Sequence, residues 1–378
     1  MLRCPQPPLR AGVLLAAAFA AHVHATDAVV GPAQCDEAGF AGVLATVDAS
    51  GGGTITFACG GATTIAFTGF KTISNAVTID GAGAITFDGG GSSAFFQVFA
   101  SATVVLKALR FERGAFNAAH ALENFGTLTL DRVVVADTVS DESAFANYGT
   151  AFVRDSTFEG NAANSSTSGD GGAIGNLGSE LHVSSSTFSA NAARNGAAIY
   201  STAPLVVVNS TFTGNTASGG GAAIYQTDVG AASVAFATIV GNSALFGGGL
   251  YNDGGGSSSL TLGSSLLGAN AGGSCDGVIQ SAGYNLDDEP TQCGATFTGP
   301  GDVLGASLPM QPLGDYGGPT PTMPPASGNA AINHVPISAC TAAVDQRGAG
   351  RPFGSACDSG AVELGGALDV IFVDGFDG

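Results

Sequence analysis

Three stretches of the sequence share one pattern: DSTFEGNA at residues 155–162, SSTFSANA at 185–192 and NSTFTGNT at 209–216. Each contains Ser-Thr-Phe with an asparagine three residues after the phenylalanine, while the residues around these positions have little in common. A catalytic motif normally occurs once in a chain, whereas a motif that recurs at an interval of 20 to 50 residues marks a repeated structural position. The search for the fold therefore begins with this repeat.

The repeat extends beyond its three best copies. The phenylalanine position is filled in turn by Val134 or Val135, Phe158, Phe188, Phe212, Ile239 and Leu267. Asparagines follow the last five at intervals of 30, 24, 27 and 28 residues: Asn161, Asn191, Asn215, Asn242 and Asn270. Two other elements alternate with this one, GGAI-like stretches at 171–174, 196–200, 221–225 and 248–251, and Asn-led stretches beginning at Asn124, Asn147 and Asn176. Short segments rich in Val, Ile, Thr and Phe and bounded by Gly, Asn or Ser indicate strands.

A unit this small cannot bury its own apolar face, but stacked copies can bury a continuous core. We predict an all-β fold, a single right-handed parallel β-helix with coils over residues 61–300. Parallel coils about 4.8 Å apart would superpose equivalent side chains. Stacked amides can bond along such a column and satisfy turn backbone. The predicted structural ladders are Phe158, Phe188 and Phe212 in the core and Asn161, Asn191 and Asn215 at one corner.

The N-terminus has the features of a secretory signal. Arg3 and Arg10 form a positive n-region, residues 11–21 are apolar, and VHA at 23–25 offers a small-residue cleavage site. We predict a signal peptide over residues 1–25 and hence an extracellular or outer cell-surface location; a buried N-terminal helix is the alternative. No later apolar run approaches the ~20 residues that a spanning helix needs, so no transmembrane segment is expected after cleavage.

The charge balance narrows the class of partner. The 378 residues include 11 Lys+Arg against 30 Asp+Glu, and only 11% are charged. Signal removal takes two arginines with it and leaves a formal net charge of −21. This sign argues against nucleic acid and bare anionic membrane as partners. We expect a monomer.

Six cysteines remain once the signal peptide, which contains Cys4, is removed. An oxidising compartment favours disulfides. Nearest-neighbour pairing is preferred, because each coil of a solenoid touches only adjacent coils. A zinc site is the alternative, but no CxxC spacing supports it, and we predict no metal and no cofactor. The predicted disulfides are Cys35–Cys59, Cys275–Cys293 and Cys340–Cys357.

An open solenoid exposes core and sheet edges at both ends, so both ends need a cover. Over residues 26–60 we predict an N-terminal cap containing a short amphipathic helix with Asp36 as its N-cap. A membrane-surface anchor is the alternative, but the helical segment has no basic residue. Four apolar residues occupy one face at i, i+3, i+4 and i+7: Phe40, Val43, Leu44 and Val47.

Residues 301–364 are predicted to form C-terminal coils and a cap. Two arginines stand there among acidic residues, and we predict a structural ion network; a site for a ligand carboxylate is the alternative. The residues concerned are Arg347, Arg351, Asp345, Asp358 and Glu363. Residues 365–378 form a separate tail.

The repeats resemble those of a known group of proteins. FEGN, FSAN and FTGN, together with GGAI, are similar to the FxxN and GGA[ILV] repeats of the polymorphic outer-membrane protein family. CDEAGFAGVLATV at 35–47 resembles the opening of CSLREA-type proteins, although CDEAGF replaces the family word. GDYGGPTPT, followed by DQRGAGRPFGSACDSGAVE at 345–363, resembles the end of the choice-of-anchor Q family, and LDVIFVDGFDG at 368–378 resembles short tails of secreted proteobacterial proteins. These resemblances imply a secreted or surface β-helix and supply no catalytic residues.

Parallel β-helices often cleave acidic polysaccharides, so a polysaccharide lyase or glycoside hydrolase of the pectin-degrading type is the alternative function. A lyase needs a basic group, usually beside acidic Ca²⁺ ligands, and a hydrolase needs paired carboxylates. Asp170 is the best single acid, although a Gly-Asp-Gly turn also explains it. The basic candidates do not obviously converge and the acids are scattered, so no catalytic residue is predicted: Arg132, Arg154, Arg194, Asp155, Glu159, Asp170, Glu180 and Asp228.

One feature predicts binding. Tyr200, Tyr225 and Tyr251 each follow the inward Ile or Leu of a GGAI-like stretch, so alternation along a strand turns them outward. Stacked coils would align them in an exposed stripe; a stabilising tyrosine ladder without a ligand is the simpler interpretation, and binding to sugar faces is the functional hypothesis. We therefore expect a secreted or surface-displayed bacterial protein, adhesin-like or envelope-associated and without catalysis, with an extracellular glycan or a host or envelope surface as partner.

Overall fold

The computed structural model describes residues 25–114, 120–165, 168–254, 257–290, 293 and 297–366. Residues 1–24 of the predicted signal peptide and residues 367–378 of the predicted tail lie outside this range. The described chain forms a parallel β-solenoid of about ten turns with one helix near its N-terminus, which confirms the predicted fold. The α-helix is Glu37–Ala49, and no helix among the described residues is long and apolar enough to cross a membrane.

The strands form three sheets that run along the solenoid, and equivalent strands of neighbouring coils pair in parallel. A 20-stranded sheet, here the long sheet, consists of Ala28–Val30, Gly52–Phe57, Thr63–Ala66, Ala76–Asp88, Thr103–Glu112, Thr127–Asp131, Val134–Ala136, Thr150–Arg154, Thr157–Glu159, Glu180–Ser184, Thr187–Ser189, Leu205–Val208, Thr211–Thr213, Ala231–Ala235, Thr238–Val240, Ser259–Gly263, Leu266–Gly268, Ile279–Gly283, Leu286–Asp287 and Val303–Leu304.

Two smaller sheets lie beside the long sheet among the described residues, and each crosses only some of the coils. A nine-stranded sheet, here the tyrosine sheet, consists of Lys71–Ile73, Phe96–Val98, Leu122–Asn124, Phe145–Asn147, Ile174–Asn176, Ile199–Ser201, Ile224–Gln226, Leu250–Asn252 and Cys275–Gly277. A four-stranded sheet consists of Val139–Ser140, Ala162–Ala163, Ala192–Ala193 and Thr216–Ala217. In the part of the chain that the structure describes, two short 3₁₀ turns lie outside the sheets, at Pro32–Gln34 and Ile337–Ala339.

The phenylalanines of the repeat stack in the core. Strands Thr157–Glu159, Thr187–Ser189 and Thr211–Thr213 pair in register, and this register superposes the three rings. Ring centroids lie 5.1 Å apart between Phe158 and Phe188 and 4.9 Å apart between Phe188 and Phe212, with interplanar angles of 8° and 4°. All three side chains are fully buried. Each ring therefore packs against its equivalents in the adjacent coils.

The asparagines of the repeat form a continuous hydrogen-bonded column. Asn161 Nδ2 donates to Asn191 Oδ1 at 3.0 Å, and Asn191 Nδ2 donates to Asn215 Oδ1 at 2.9 Å. The second Nδ2 proton of Asn191 goes to the carbonyl of Phe158, and its backbone N–H goes to Asn215 Oδ1. The column continues through Asn242 to Asn270. Each buried amide thus satisfies backbone groups that the turn would otherwise leave unpaired.

Other polar columns occupy other corners, and sequence reasoning did not predict them. Asn124, Asn147 and Asn176 form a second amide column with bonds of 2.8 and 2.9 Å. The serine of Ser-Thr-Phe forms a third, since Ser186 Oγ accepts the N–H of Ser156 and Ser210 Oγ accepts that of Ser186. In each copy of the motif the serine therefore bonds to backbone at a corner, the phenylalanine stacks in the core and the asparagine joins the amide column.

A left-handed residue turns the chain between the two long-sheet strands of a coil. Left-handed backbone costs a non-glycine residue roughly 1–2 kcal/mol, so the corner depends on the packed coils on either side. The φ angle lies between 47° and 54° at Ala108, which bends the continuous strand Thr103–Glu112, and at Arg132, Asp155, Ser185, Asn209, Phe236 and Ser264.

The N-terminal helix covers one end of the core, as predicted. Asp36 is its N-cap and accepts the N–H of Gly39 at 2.8 Å. Phe40 is fully buried, and its ring centroid lies 5.0 Å from that of Phe87. The helix also buries Val43, Leu44 and Val47, and all three predicted disulfides are present.

After strand Val303–Leu304 the chain does not simply add coils. Residues 306–364, here the strap, lie on the outside of the long sheet, where they contact coils from Thr187 to Tyr284. Gln346 is its buried anchor: its Nε2 donates to Thr187 Oγ1 at 2.7 Å and its Oε1 accepts from Thr211 Oγ1 at 2.6 Å. The strap also covers two apolar side chains of the last coils, Leu266 and Leu286. They occupy the position on the outside of the long sheet where earlier coils have threonine.

The predicted ion network lies within the strap. Arg351 pairs with Glu363 at 3.0 Å and Arg347 with Asp345 at 2.8 Å, and the Arg351–Glu363 side chains are fully buried. The Asp358 carboxylate instead accepts the N–H groups of Asn333 and Leu364. Because the Arg351 side chain is enclosed, it fits a structural role better than a site for a ligand carboxylate.

Replacing Phe188 by Ala should cost about 3–5 kcal/mol of unfolding free energy, because a cavity would open between two stacked rings. Chemical denaturation of the purified protein measures the change. Phe152→Ala is the control, since Phe152 lies on the outer surface with 38% of its side chain exposed. Equal losses for both variants would contradict the core assignment.

Replacing Gln346 by Ala should loosen the strap and leave the coils folded, because Thr187, Thr211 and Thr320 all lose a buried partner. Hydrogen exchange followed by mass spectrometry compares the variant with the wild-type protein. Exchange should become faster in peptides from the strap and stay unchanged in peptides from 145–240. Gln311→Ala, at an exposed strap position, is the control. Uniformly faster exchange over the whole chain would show that the strap is needed for the coils to fold.

Candidate functional site

The three tyrosines lie on the outer surface of the tyrosine sheet. Strands Ile199–Ser201, Ile224–Gln226 and Leu250–Asn252 pair in register, so Tyr200, Tyr225 and Tyr251 occupy one outward row. The isoleucine or leucine before each tyrosine is fully buried, whereas the tyrosines are half-buried. We refer to this row as the tyrosine stripe.

The rings of the stripe cover one another. Centroids are 5.4 Å apart between Tyr200 and Tyr225 and 4.8 Å apart between Tyr225 and Tyr251, with interplanar angles of 26° and 25°. The stack leaves only the outer faces of Tyr200 and Tyr251 for a flat ligand, while the ring edges and hydroxyl groups run along its length. A bound sugar would therefore contact less of the ring faces than the sequence predicted from the outward direction of the three tyrosines.

Gly220 supports the stack from below. A Cβ atom at this position would lie 3.2 Å from Tyr225 Cε2 and 3.2 Å from Tyr251 Cγ. The rings thus pack directly on backbone, which explains why the residue before the GGAI-like stretch at 221–225 has no side chain.

Carboxylates surround the hydroxyl ends. Tyr225 OH donates to Asp253 Oδ2 at 3.3 Å, and Thr227 Oγ1 donates to the same oxygen at 2.5 Å. Burial, reinforced by Asp170 and Asp228, raises the pKa of Tyr200 to about 12. Burial and nearby aspartates also raise the pKa values of Tyr225 and Tyr251. The stripe therefore presents neutral phenols in an acidic setting at physiological pH.

Asp170, the best acid from the sequence, is held in a local network. Its two oxygens accept from Arg194 Nε at 3.0 Å and Arg194 Nη2 at 2.5 Å. Oδ1 also accepts the backbone N–H and the side-chain amide of Asn195, both at 3.1 Å. This arrangement matches the turn interpretation, in which the carboxylate braces two neighbouring coils.

The two other basic candidates meet at an acid that sequence reasoning did not consider. Arg132 and Arg154 each lie 3.5 Å from a carboxylate oxygen of Asp131. The parallel register pairs Arg154 with Asp131 directly. Their convergence neutralises a carboxylate and brings neither arginine to Asp170.

A second polar cluster lies nearer the N-terminus, around His120. Its Nδ1 is 2.8 Å from Ser143 Oγ, and its Nε2 is 3.2 Å from both Glu142 Oε2 and Tyr148 OH. Burial lowers the pKa of His120, although Glu142 and Glu123 oppose the shift. A serine, a neutral histidine and a carboxylate are the parts of an activated nucleophile.

The surroundings of this cluster do not expose the nucleophile. The adjacent cavity has a volume of about 150 Å³ and is lined by Phe70, Ala94, Phe96, Gln97, His120 and Glu123. Ser143 is outside this lining and only 1% exposed. A substrate in the cavity would therefore meet the imidazole and Glu123 rather than the serine hydroxyl. Only the three-dimensional structure could reveal the cluster, because its members come from adjacent coils.

One group of potential metal ligands occurs among the described residues: Cys275, Asp287 and Cys293. The two sulfur atoms already form a disulfide, which leaves a single carboxylate. Asp287 is fully buried, and its Oδ2 atom has no hydrogen-bond partner. Burial raises the pKa of Asp287 to about 6. The carboxyl group is therefore better explained as a buried acid than as a ligand.

One comparison with known proteins gives a match. Residues 209–227 match the Chlamydia polymorphic membrane protein repeat. The matched stretch contains the third Ser-Thr-Phe copy, the ladder residue Asn215 and Tyr225 of the stripe. No curated protein and no solved structure matches the chain. The match supports the predicted repeat type and suggests a surface-associated bacterial β-helix protein; the resemblances at the two chain ends stay predictions.

Replacing Asp287 by Asn should stabilise the protein at pH 7.5 and have little effect at pH 4. The raised pKa means that the folded state retains a proton that the unfolded state loses, so wild-type stability falls as pH rises from about 4 to about 6. Melting temperatures of both proteins at matched pH values measure the difference, with exposed Asp315→Asn as control. A constant difference between the two proteins at all pH values would contradict the assignment.

Proposed function

We propose that this protein is an adhesin-like or envelope-associated binding protein that is secreted through a cleaved N-terminal signal and acts without catalysis. The match of residues 209–227 to a repeat of surface-associated bacterial β-helix proteins carries the proposal. The apolar segment at residues 11–21 and the three disulfides support export to an oxidising compartment. The CSLREA-like opening and the choice-of-anchor Q-like ending belong to the same proposal.

Binding fits the arrangement of side chains better than polysaccharide cleavage. The three basic candidates are paired with acids: Arg194 with Asp170, and Arg132 and Arg154 with Asp131. Catalysis needs a base within reach of the proton it removes, and an arginine paired with a carboxylate is poorly suited to that task. The tyrosine stripe, in contrast, is accessible and continuous over three coils. We propose an extracellular glycan as its ligand and a monomer as the functional form.

The mature protein should bind one or more glycans on an array and release no uronate from polygalacturonate, with or without Ca²⁺. Replacing Tyr200, Tyr225 and Tyr251 together by Ser should abolish binding, because the stripe supplies the contact area. The unfolding transition of this variant should remain cooperative.

A control variant distinguishes the loss of the tyrosine stripe from a general change of the protein surface. Phe152 and His182 form another outward aromatic stack, with centroids 5.0 Å apart, and their joint replacement by Ser should leave glycan binding unchanged. Polysaccharide turnover that disappears on substitution of Asp170 or Arg154 would overturn the non-catalytic proposal in favour of a lyase or hydrolase.

A further inference from the structure

Exposed carboxylates border the tyrosine stripe. Asp253 follows Tyr251 by two residues, and its Oδ2 accepts hydrogen bonds from Tyr225 and Thr227. Asp276 is the parallel-register partner of Tyr251 in the next coil, so the outward row ends in a carboxylate. Asp228 lies in the turn after strand Ile224–Gln226. All three aspartates are exposed, so a bound partner would meet aromatic edges and negative charge together.

The chain itself supplies no positive charge to balance them. Between Arg194 and Arg347 the sequence contains nine Asp and Glu residues and neither Lys nor Arg. Arg194 forms a two-pronged pair with Asp170, and Arg347 pairs with Asp345 in the strap. Most of the other basic side chains lie in the coils nearer the N-terminus, where they pair with acids such as Asp80 and Glu159. The half of the solenoid that carries the stripe is therefore strongly acidic and electrostatically suited to a cation.

The geometry of the stripe limits the form of that cation. Its tyrosines repeat once per coil, with ring centroids 4.8 and 5.4 Å apart, and three successive coils each add one aspartate at a different position beside the row. An extended peptide places side chains of one face about 6.6 Å apart, which does not match this repeat. The tyrosine strands pair with neighbours in adjacent coils, so they offer no free edge to a peptide strand. A linear glycan needs no free strand edge, and its hydroxyl and amino groups point to both sides of the chain, so it can contact phenols and carboxylates at several points along the row.

We propose that the tyrosine stripe and Asp228, Asp253 and Asp276 bind a linear glycan that carries free amino groups, such as a polymer of deacetylated amino sugars. Ammonium groups would face the carboxylates, while hydroxyl groups of the sugar would bond to the phenols. This inference rests on the proposed function, because it names the class of glycan for the same surface. A cationic ligand also agrees with the negative net charge of the protein, which would repel acidic polysaccharides.

A matched pair of ligands tests the charge requirement. A glucosamine hexamer and an N-acetylglucosamine hexamer share a backbone and differ in the ammonium groups that the first carries at pH 6. Isothermal titration at low salt should show about tenfold tighter binding of the glucosamine hexamer, the effect expected for a few exposed ion pairs. The advantage should shrink in 0.5 M NaCl, since salt screens such pairs.

Two triple variants test whether the preference for the glucosamine hexamer depends on the aspartates beside the stripe. Asp228→Asn, Asp253→Asn and Asp276→Asn combined should remove the preference and leave the fold intact, because Asn tolerates the left-handed backbone of Asp228 as Asp does. The control combines Asp137→Asn, Asp141→Asn and Asp315→Asn at exposed positions elsewhere. It should retain the preference. Equal effects of the two triple variants would overturn the assignment to the stripe.

The remaining outcomes distinguish this inference from the proposed function. Equal affinity for both hexamers would overturn the charge requirement and leave glycan binding in place. Tighter binding of hexa-arginine than of the glucosamine hexamer would overturn it in favour of a basic peptide partner. Binding of neither hexamer, alongside other hits on the glycan array, would overturn the amino-sugar assignment alone. Absence of all glycan binding would overturn both.

Discussion

Superposition of like side chains at the spacing of parallel strands is the constraint on which the rest of this structure depends. A coil of about 25 residues has too little apolar surface to fold alone, so each coil becomes stable only against its neighbours. The register that stacks Phe158, Phe188 and Phe212 also aligns the asparagine column and the serine column. One repeated motif thus serves the core and two corners of the cross-section, and its phenylalanine, serine and asparagine are each explained by a separate contact.

The same constraint creates exposed surfaces that the chain must cover. At the N-terminal end, Phe40 of helix Glu37–Ala49 packs on the rings of the first coils. Along the flank, the strap buries outward-facing side chains through Gln346 and an apolar cluster around Leu266. The buried Arg351–Glu363 pair sits inside the strap, where it orders a segment with little regular secondary structure. Both coverings meet the need of an open solenoid to protect apolar groups and sheet edges.

Stacking also shapes the candidate binding face. The register that aligns three tyrosines also turns their ring faces toward one another, so the stripe offers edges and hydroxyl groups more than flat platforms. From Tyr200 to the strap residue Gln346 the chain contains neither arginine nor lysine, which makes charge as important as aromatic area in choosing a partner. In the coils nearer the N-terminus, by contrast, basic side chains are paired with acids across neighbouring strands. The two parts of one solenoid therefore present different electrostatic surfaces on the same backbone.

The sequence by itself determined the repeat, the parallel β-helix, the helical N-terminal cap and the disulfide pairs, because each depends on residues that are close in sequence or repeat at a regular interval. It also placed the three tyrosines in one outward row. The route of the strap, the convergence of Arg132 and Arg154 on Asp131, and the His120–Ser143 contact were decided only by the tertiary structure. Gln346 illustrates the reason: its partner Thr187 is 159 residues away, and no periodic pattern links the two. Periodicity specifies how coils stack, whereas contacts between a non-repeating segment and the outside of the stack depend on the shape of the folded surface.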